Sequence, residues 1–95
     1  MRMMDSVHPG RLLADELEAR GMSANALALK IRVPANRLTE IIKGKRGVSP
    51  ETALRLGRYF GTGPGLWVRM QASYDLWKAE KELGEKIKRE VEEAA

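Results

Sequence analysis

Between Ala35 and Arg46 the chain gathers side chains of types that can read DNA base edges, followed at once by cations of the type that can hold phosphates. Asn36 can pair bidentately with adenine and Arg37 with guanine, while Ala35 and the methyl of Thr39 can touch a thymine methyl group. Glu40 can accept from cytosine, or pair with Lys43 or Arg37 along one helix. Lys43, Lys45 and Arg46 come next, and cations of this kind supply the salt-dependent, sequence-independent part of DNA affinity. The competing reading of the same positions is an ordinary solvated helix face. Charge distribution favours DNA: residues 30–46 carry a net charge of +5, six cations against Glu40 alone, in a 95-residue chain whose total is +4.

For these side chains to share one face, two short helices must cross with a brief turn between them, and the neighbouring residues encode that arrangement. Leu27, Ala28 and Ile31 form the inward stripe of one helix, and Leu38, Ile41 and Ile42 that of the next. Arg32, Val33 and Pro34 make the turn, because the residue before a proline is pushed out of the α region and proline suits a helix start. Ser23 caps the first of the pair, and Gly44 ends the second. The loop GKRGV then carries Lys45 and Arg46 towards a helix opened by Ser49, Pro50 and Glu51: a capping hydroxyl, a preset φ and an anion at the positive end of the helix dipole. Such a loop suits contact with a phosphate backbone.

Helices on either side complete the domain. An opening helix runs from about His8 or Pro9 to Arg20, with Leu12, Leu13 and Leu17 inward and Gly21 as its stop; His8 reads as a helix-start residue. The helix after Ser49 carries Ala53, Leu54, Leu56, Gly57 and Phe60 and closes at Gly61. From about Pro64 the longest segment has two apolar stripes. Trp67, Met70, Tyr74 and Trp77 recur at helical spacing, and Val68, Ala72, Leu76, Ala79, Leu83, Ile87 and Val91 drift along a neighbouring face. A helix apolar on more than one face covers more than its own domain. One stripe closes the core and the other is available to a symmetric partner, with Trp67, Met70, Tyr74 and Trp77 taken as the dimerisation set. The expected organisation is a flexible N-terminus over 1–6, a helix-turn-helix domain with its dimerisation helix over 7–80, and a charged helical tail over 81–95, which Gly84 weakens.

The fold class expected is therefore all-α, five helices with an extended last one. No cysteine is present and His8 is the single histidine, so disulfides, thiolate metal sites and a histidine-based zinc site are excluded, and no cofactor is expected. No nucleophile and base pair stands out, and no Gly-rich phosphate loop follows a strand, which disfavours an enzyme. Without an apolar run of the ~20 residues a membrane span needs, or a secretory segment at the start, a cytoplasmic protein is expected.

Three stretches, HPGRLLADELEARGMSANALA, VPANRLTEIIKGKRGVSPETALRLGRYFGT and LWVRMQASYDLWKAE, together resemble the HigA-type antitoxins within the lambda-repressor-like (XRE, Cro-like) helix-turn-helix class. The resemblance covers about residues 7 to 80. It implies an all-α homodimer that represses its own operon and neutralises a RelE-like (HigB-type) mRNA-cleaving toxin. It also implies that Ala35, Asn36, Arg37, Thr39 and Glu40 face bases, and that Ser23 to Asn25, Lys43, Lys45 and Arg46 face phosphates. This chain departs from the class at two positions: Ala24 stands where glutamine is frequent, removing one phosphate contact, and Arg32 where glycine is common, so the turn must suit a side chain or accept strain. Two other readings share much of this surface. One is a stand-alone repressor without a toxin; the other is a protein-interaction module whose basic patch binds an acidic protein.

Overall fold

The computed structural model describes residues 7–94; the segment 1–6, expected to be flexible, lies outside the described residues. Five helices and no strand are present among them: α1 (Pro9–Ala19), α2 (Ala24–Ile31), α3 (Ala35–Ile42), α4 (Pro50–Phe60) and α5 (Pro64–Glu90).

Local chemistry sets nearly every boundary. His8 caps α1 through Nδ1, which accepts from the Gly10 N–H at 2.9 Å. Ser23 and Ser49 cap α2 and α4 in the usual way, each hydroxyl accepting from the backbone N–H three residues on. Helices α1 and α3 end in the same double bond pattern. Gly21 and Gly44 take left-handed conformations, while the N–H groups of Met22 and Lys45 reach back to the Leu17 and Glu40 carbonyls. Gly84, a poor helix former, does not interrupt α5, which passes through it to Glu90.

One core joins all five helices: Leu13 and Leu17, Leu27, Ala28 and Ile31, Leu38 and Ile41, Val48, Ala53 and Leu56, and Trp67. Leu12 and Ile42 pack at its edge, whereas Leu54, grouped in the sequence with the apolar residues of α4, is 60% exposed. Two glycines mark where backbones touch. A Cβ at Gly10 would run into the Ile41 carbonyl, and one at Gly57 into the backbone of Gly63 and Pro64. These contacts lock α1 onto α3 and fold α5 back on α4.

Trp67 requires a correction. Taken as part of the dimerisation set, it is wholly buried, stacks on Phe60 at 6.0 Å and donates from Nε1 to Thr62 Oγ1 at 3.1 Å. An indole with its N–H satisfied in the core has nothing left to offer a partner. Met70, Tyr74 and Trp77 are half-buried. Tyr74 packs edge-on against His8 at 4.8 Å and leans on Trp77 at 5.8 Å. Much of that stripe closes the domain against the start of α1.

A candidate nucleic-acid interface on the second and third helices

Helix α3 sits on the protein through Leu38 and Ile41, with Ala35 and Ile42 packed at the edge of the core, so its remaining side faces outward. Asn36 is exposed, Ala35 and Thr39 half-exposed, and Thr39 Oγ1 turns back to the Asn36 carbonyl at 3.2 Å. Ala35 packs partly against the core, the small side chain of Thr39 leaves the α3 backbone beside it open, and Asn36 is exposed with its amide outward of the core.

The two ionic residues of the base-facing set are already engaged. Arg37 is pulled towards α4, 3.7 Å from Glu51, and its side chain is only 26% exposed. Glu51 also accepts from Arg55 Nε at 3.1 Å. Glu40 pairs with neither Lys43 nor Arg37 but with Arg46, whose Nε donates to it at 2.8 Å. These are exposed pairs of small intrinsic strength, so a base or phosphate can exchange into them. The first draws Arg37 towards α4, and the second holds Arg46 against α3.

The turn between α2 and α3 accommodates its side chain by taking the left-handed conformation: Arg32 has φ 62 and ψ 50. A non-glycine residue there costs roughly 1 kcal/mol, and two contacts hold it. The Val33 N–H bonds the Ala28 carbonyl at 3.1 Å, and Arg55 Nη1 donates to the Ile31 carbonyl at 2.9 Å. Arg55 thus ties the C-terminal end of α2 to α4, fixing the angle at which α3 is presented. Sequence reasoning gave Arg55 no role, because nothing in its spacing marks a contact 24 residues away.

Phosphate-holding candidates flank α3 on both sides. Ser23 and Asn25 lie exposed at the start of α2, with Ser23 Oγ engaged as its cap. Ala24 is half-buried against the core and offers no polar group in its place. Beyond α3, Lys43, Lys45 and Arg46 are exposed. Their loop is anchored: Gln71 Oε1 on α5 accepts from the Val48 N–H at 2.7 Å, while Gln71 Nε2 donates to Asp75. Gly47 lies against it: a Cβ there would meet the Gln71 amide at 2.9 Å and push that side chain aside. Gln71 is the second residue whose role sequence reasoning missed. Its only signal was membership of the QASYDL run.

No group of residues able to hold a metal ion occurs among the described residues, and no described helix is long and apolar enough to cross a membrane.

A family model described as Helix-turn-helix matches residues 13–67, from the middle of α1 to the start of α5. Virulence-associated protein I of Dichelobacter nodosus is 45% identical over 80 residues, which are 83% of this chain and 74% of that protein. An addiction module antidote protein of a HigA family from Coxiella burnetii superposes with a TM-score of 0.91 at 44% identity, covering 96% of this chain and 100% of the other. The Pseudomonas aeruginosa antitoxin HigA, solved with the higBA promoter, gives 0.93 at 37% identity with the same coverage.

Proposed function

Because the chain belongs to the lambda-repressor-like helix-turn-helix family, whose members are DNA-binding regulators and not enzymes, we propose that it is the antitoxin of a type II toxin–antitoxin module. In this reading it binds operator DNA as a homodimer in the cytoplasm, represses its own operon, and neutralises a RelE-like (HigB-type) mRNA-cleaving toxin. The observation that carries the DNA half is the outward face of α3, with Asn36 and Thr39 on it and Lys43, Lys45 and Arg46 on an anchored loop beside it. The toxin half rests on likeness to antitoxins of the HigA kind.

Mechanistically, α3 enters the major groove while the start of α2 and the loop after α3 grip the phosphates on either side. Asn36 pairs with adenine, Ala35 and Thr39 pack on thymine methyls, and Arg37 exchanges Glu51 for guanine. Glu40 either accepts from cytosine or keeps Arg46 aimed at the backbone. A two-fold dimer sets two such helices about 34 Å apart, one helical turn of DNA, over a palindrome that polymerase must occupy.

Titration of the chain against DNA from its own promoter, at several salt concentrations, tests the first half. If Lys43, Lys45 and Arg46 of two copies hold about six phosphates, log K falls against log salt with a slope of about −5. A matched random duplex must bind far more weakly. Equal affinity for both sequences overturns operator recognition and leaves the basic face to an acidic protein. Co-expression with the neighbouring small reading frame tests the second half: growth arrest by the neighbour, relieved by this chain in a stable complex, is the expected result. A harmless neighbour that does not copurify, alongside specific operator binding, identifies a stand-alone repressor.

A further inference from the structure

The positive charge that the sequence concentrates around the helix pair divides into two groups in the folded chain. Lys43, Lys45 and Arg46 stand beside α3. Lys30 and Arg32, at the end of α2 and in its turn, instead join Arg55 and Arg58 of α4 around an open hollow of about 340 Å³. No residue of α3 or of the loop after it lines this hollow, and no acidic residue does. Arg55 is already committed, donating to the Ile31 carbonyl and to Glu51. Lys30, Arg32 and Arg58 are exposed and take part in no ion pair among the described residues.

Between these cations the lining is apolar. Leu54 lies one turn before Arg58 and is 60% exposed, and Tyr59 is 37% exposed. A phosphate backbone would use the cations but gain nothing from Leu54 and Tyr59. A segment that carries carboxylates around an apolar side chain would use both, since it removes apolar surface from water while relieving the repulsion among unpaired like charges. The hollow has room for one large side chain and lies open to the chain on either side of it.

We propose that this hollow between α2 and α4 is a docking site for an acidic segment of another protein. One apolar side chain of that segment rests on Leu54 and Tyr59, and the carboxylates flanking it pair with Lys30, Arg32 and Arg58. An apolar anchor enclosed by a ring of charges divides the work in the usual way: the anchor supplies most of the affinity, and the ring supplies the rate of encounter, the salt dependence and the rejection of basic partners. Because the hollow shares no residue with the base-facing side of α3, the segment and operator DNA bind together. The assignment does not depend on the operator or toxin readings above.

A short fluorescein-labelled peptide of aspartate and glutamate with one central leucine, titrated with the full chain at low ionic strength and read by anisotropy, tests it. Replacing the peptide's leucine by serine, or introducing Leu54→Asp or Arg58→Glu in the protein, weakens binding about tenfold. Both protein positions are exposed, so circular dichroism stays that of wild type. Lys45→Ala leaves peptide binding unchanged, as does saturation with the operator duplex, and amide resonances shift at residues 30–32 and 54–59. Binding that tolerates the serine peptide and falls equally with Lys45→Ala reflects overall positive charge and overturns the site. Displacement of the peptide by DNA, with Arg58→Glu weakening random duplexes, makes these cations phosphate contacts and also overturns it. So does an absence of binding at about 1 mM peptide.

Discussion

Helices α2 and α3 on one side, and the projecting half of α5 on the other, are both amphipathic, but they are held in opposite ways. The α2–α3 pair is fastened at its ends and its turn. Ser23 caps its start, Arg55 holds the last carbonyl of α2, the Lys45 N–H closes the end of α3, and Gln71 anchors the following loop. Beyond Trp77, α5 has the Lys86–Glu90 pair and the Lys81 ammonium over the Trp77 ring, both on its own helix. A surface that reads bases must be rigid before DNA arrives, because ordering it at that moment would subtract from affinity. A helix that waits for a protein partner can leave its apolar face bare. The contrast is between a pair of short helices fastened to the rest of the fold and a projecting helix held only by its own residues.

The widest gap in this contrast lies between Trp67 and Ile87, two apolar residues of the same helix. Trp67→Ala should cost about 3–5 kcal/mol of stability, because it empties the junction of α4 and α5. Ile87→Ala should change the stability of the monomer by less than about 0.5 kcal/mol. Urea unfolding followed by circular dichroism at low protein concentration measures both. Similar costs would mean that the far half of α5 belongs to the core after all.

Next in size is a contrast within the DNA-reading end. Arg37→Ala should lose ~1–3 kcal/mol of operator binding and relax preference at one base step. Lys45→Ala should weaken all sequences alike and flatten the salt slope by about 1 for each copy. Competition against operators altered one base pair at a time distinguishes them. Equal losses on specific and random DNA for both variants would reduce α3 to a phosphate-binding helix. Glu51→Gln sharpens the contrast, since it frees Arg37 from α4 without touching the DNA-facing surface itself.

Smaller again is the effect of the anchor. Gln71→Ala leaves the half-buried Val48 N–H without its partner, at about 1 kcal/mol of stability. It also loosens Lys45 and Arg46, so affinity should fall to a similar degree on every DNA sequence. Thermal melts and titrations on operator and random duplexes check this together. An unchanged affinity would show that the loop orders on DNA whether or not α5 holds it.

How much of this was open to reading beforehand follows from the range of the interactions. Caps, glycine stops and proline starts act over a few residues, so the five helices were legible from His8, Gly21, Ser23, Pro34, Gly44, Ser49, Gly61 and Pro64 together with the apolar spacing between them. The roles of Arg55 and Gln71 were not, because each contact spans more than twenty residues and leaves no periodic trace. Trp67 was misplaced for a related reason. Periodicity shows that Trp67, Met70, Tyr74 and Trp77 share a face; it does not show that α4 folds back on the first turn of that face, which is a consequence of Gly57 and Gly63 in close contact. Two stripes on one helix are visible in sequence, but which of them is inward is decided by the chain that precedes them.

The least of these effects joins the start of α1 to α5 through His8. Its Nδ1 must be unprotonated to accept from the Gly10 N–H, and its ring lies edge-on to Tyr74. Burial there holds its pKa below 6.5, outweighing the opposing pull of Asp75, while Lys78 adds to the depression. Between that lowered value and 6.5 the unfolded chain binds more protons than the folded one, so stability rises with pH across the window. The cap's contribution is complete above 6.5 and is lost as pH falls through the folded value. His8→Asn keeps a capping acceptor that does not titrate. Thermal midpoints of the two proteins from pH 7.5 to 5 should therefore converge or cross as the histidine protonates, wild type losing more. Parallel curves would mean that His8 caps α1 in both protonation states, with the ring flipped or the N–H of Gly10 given to water.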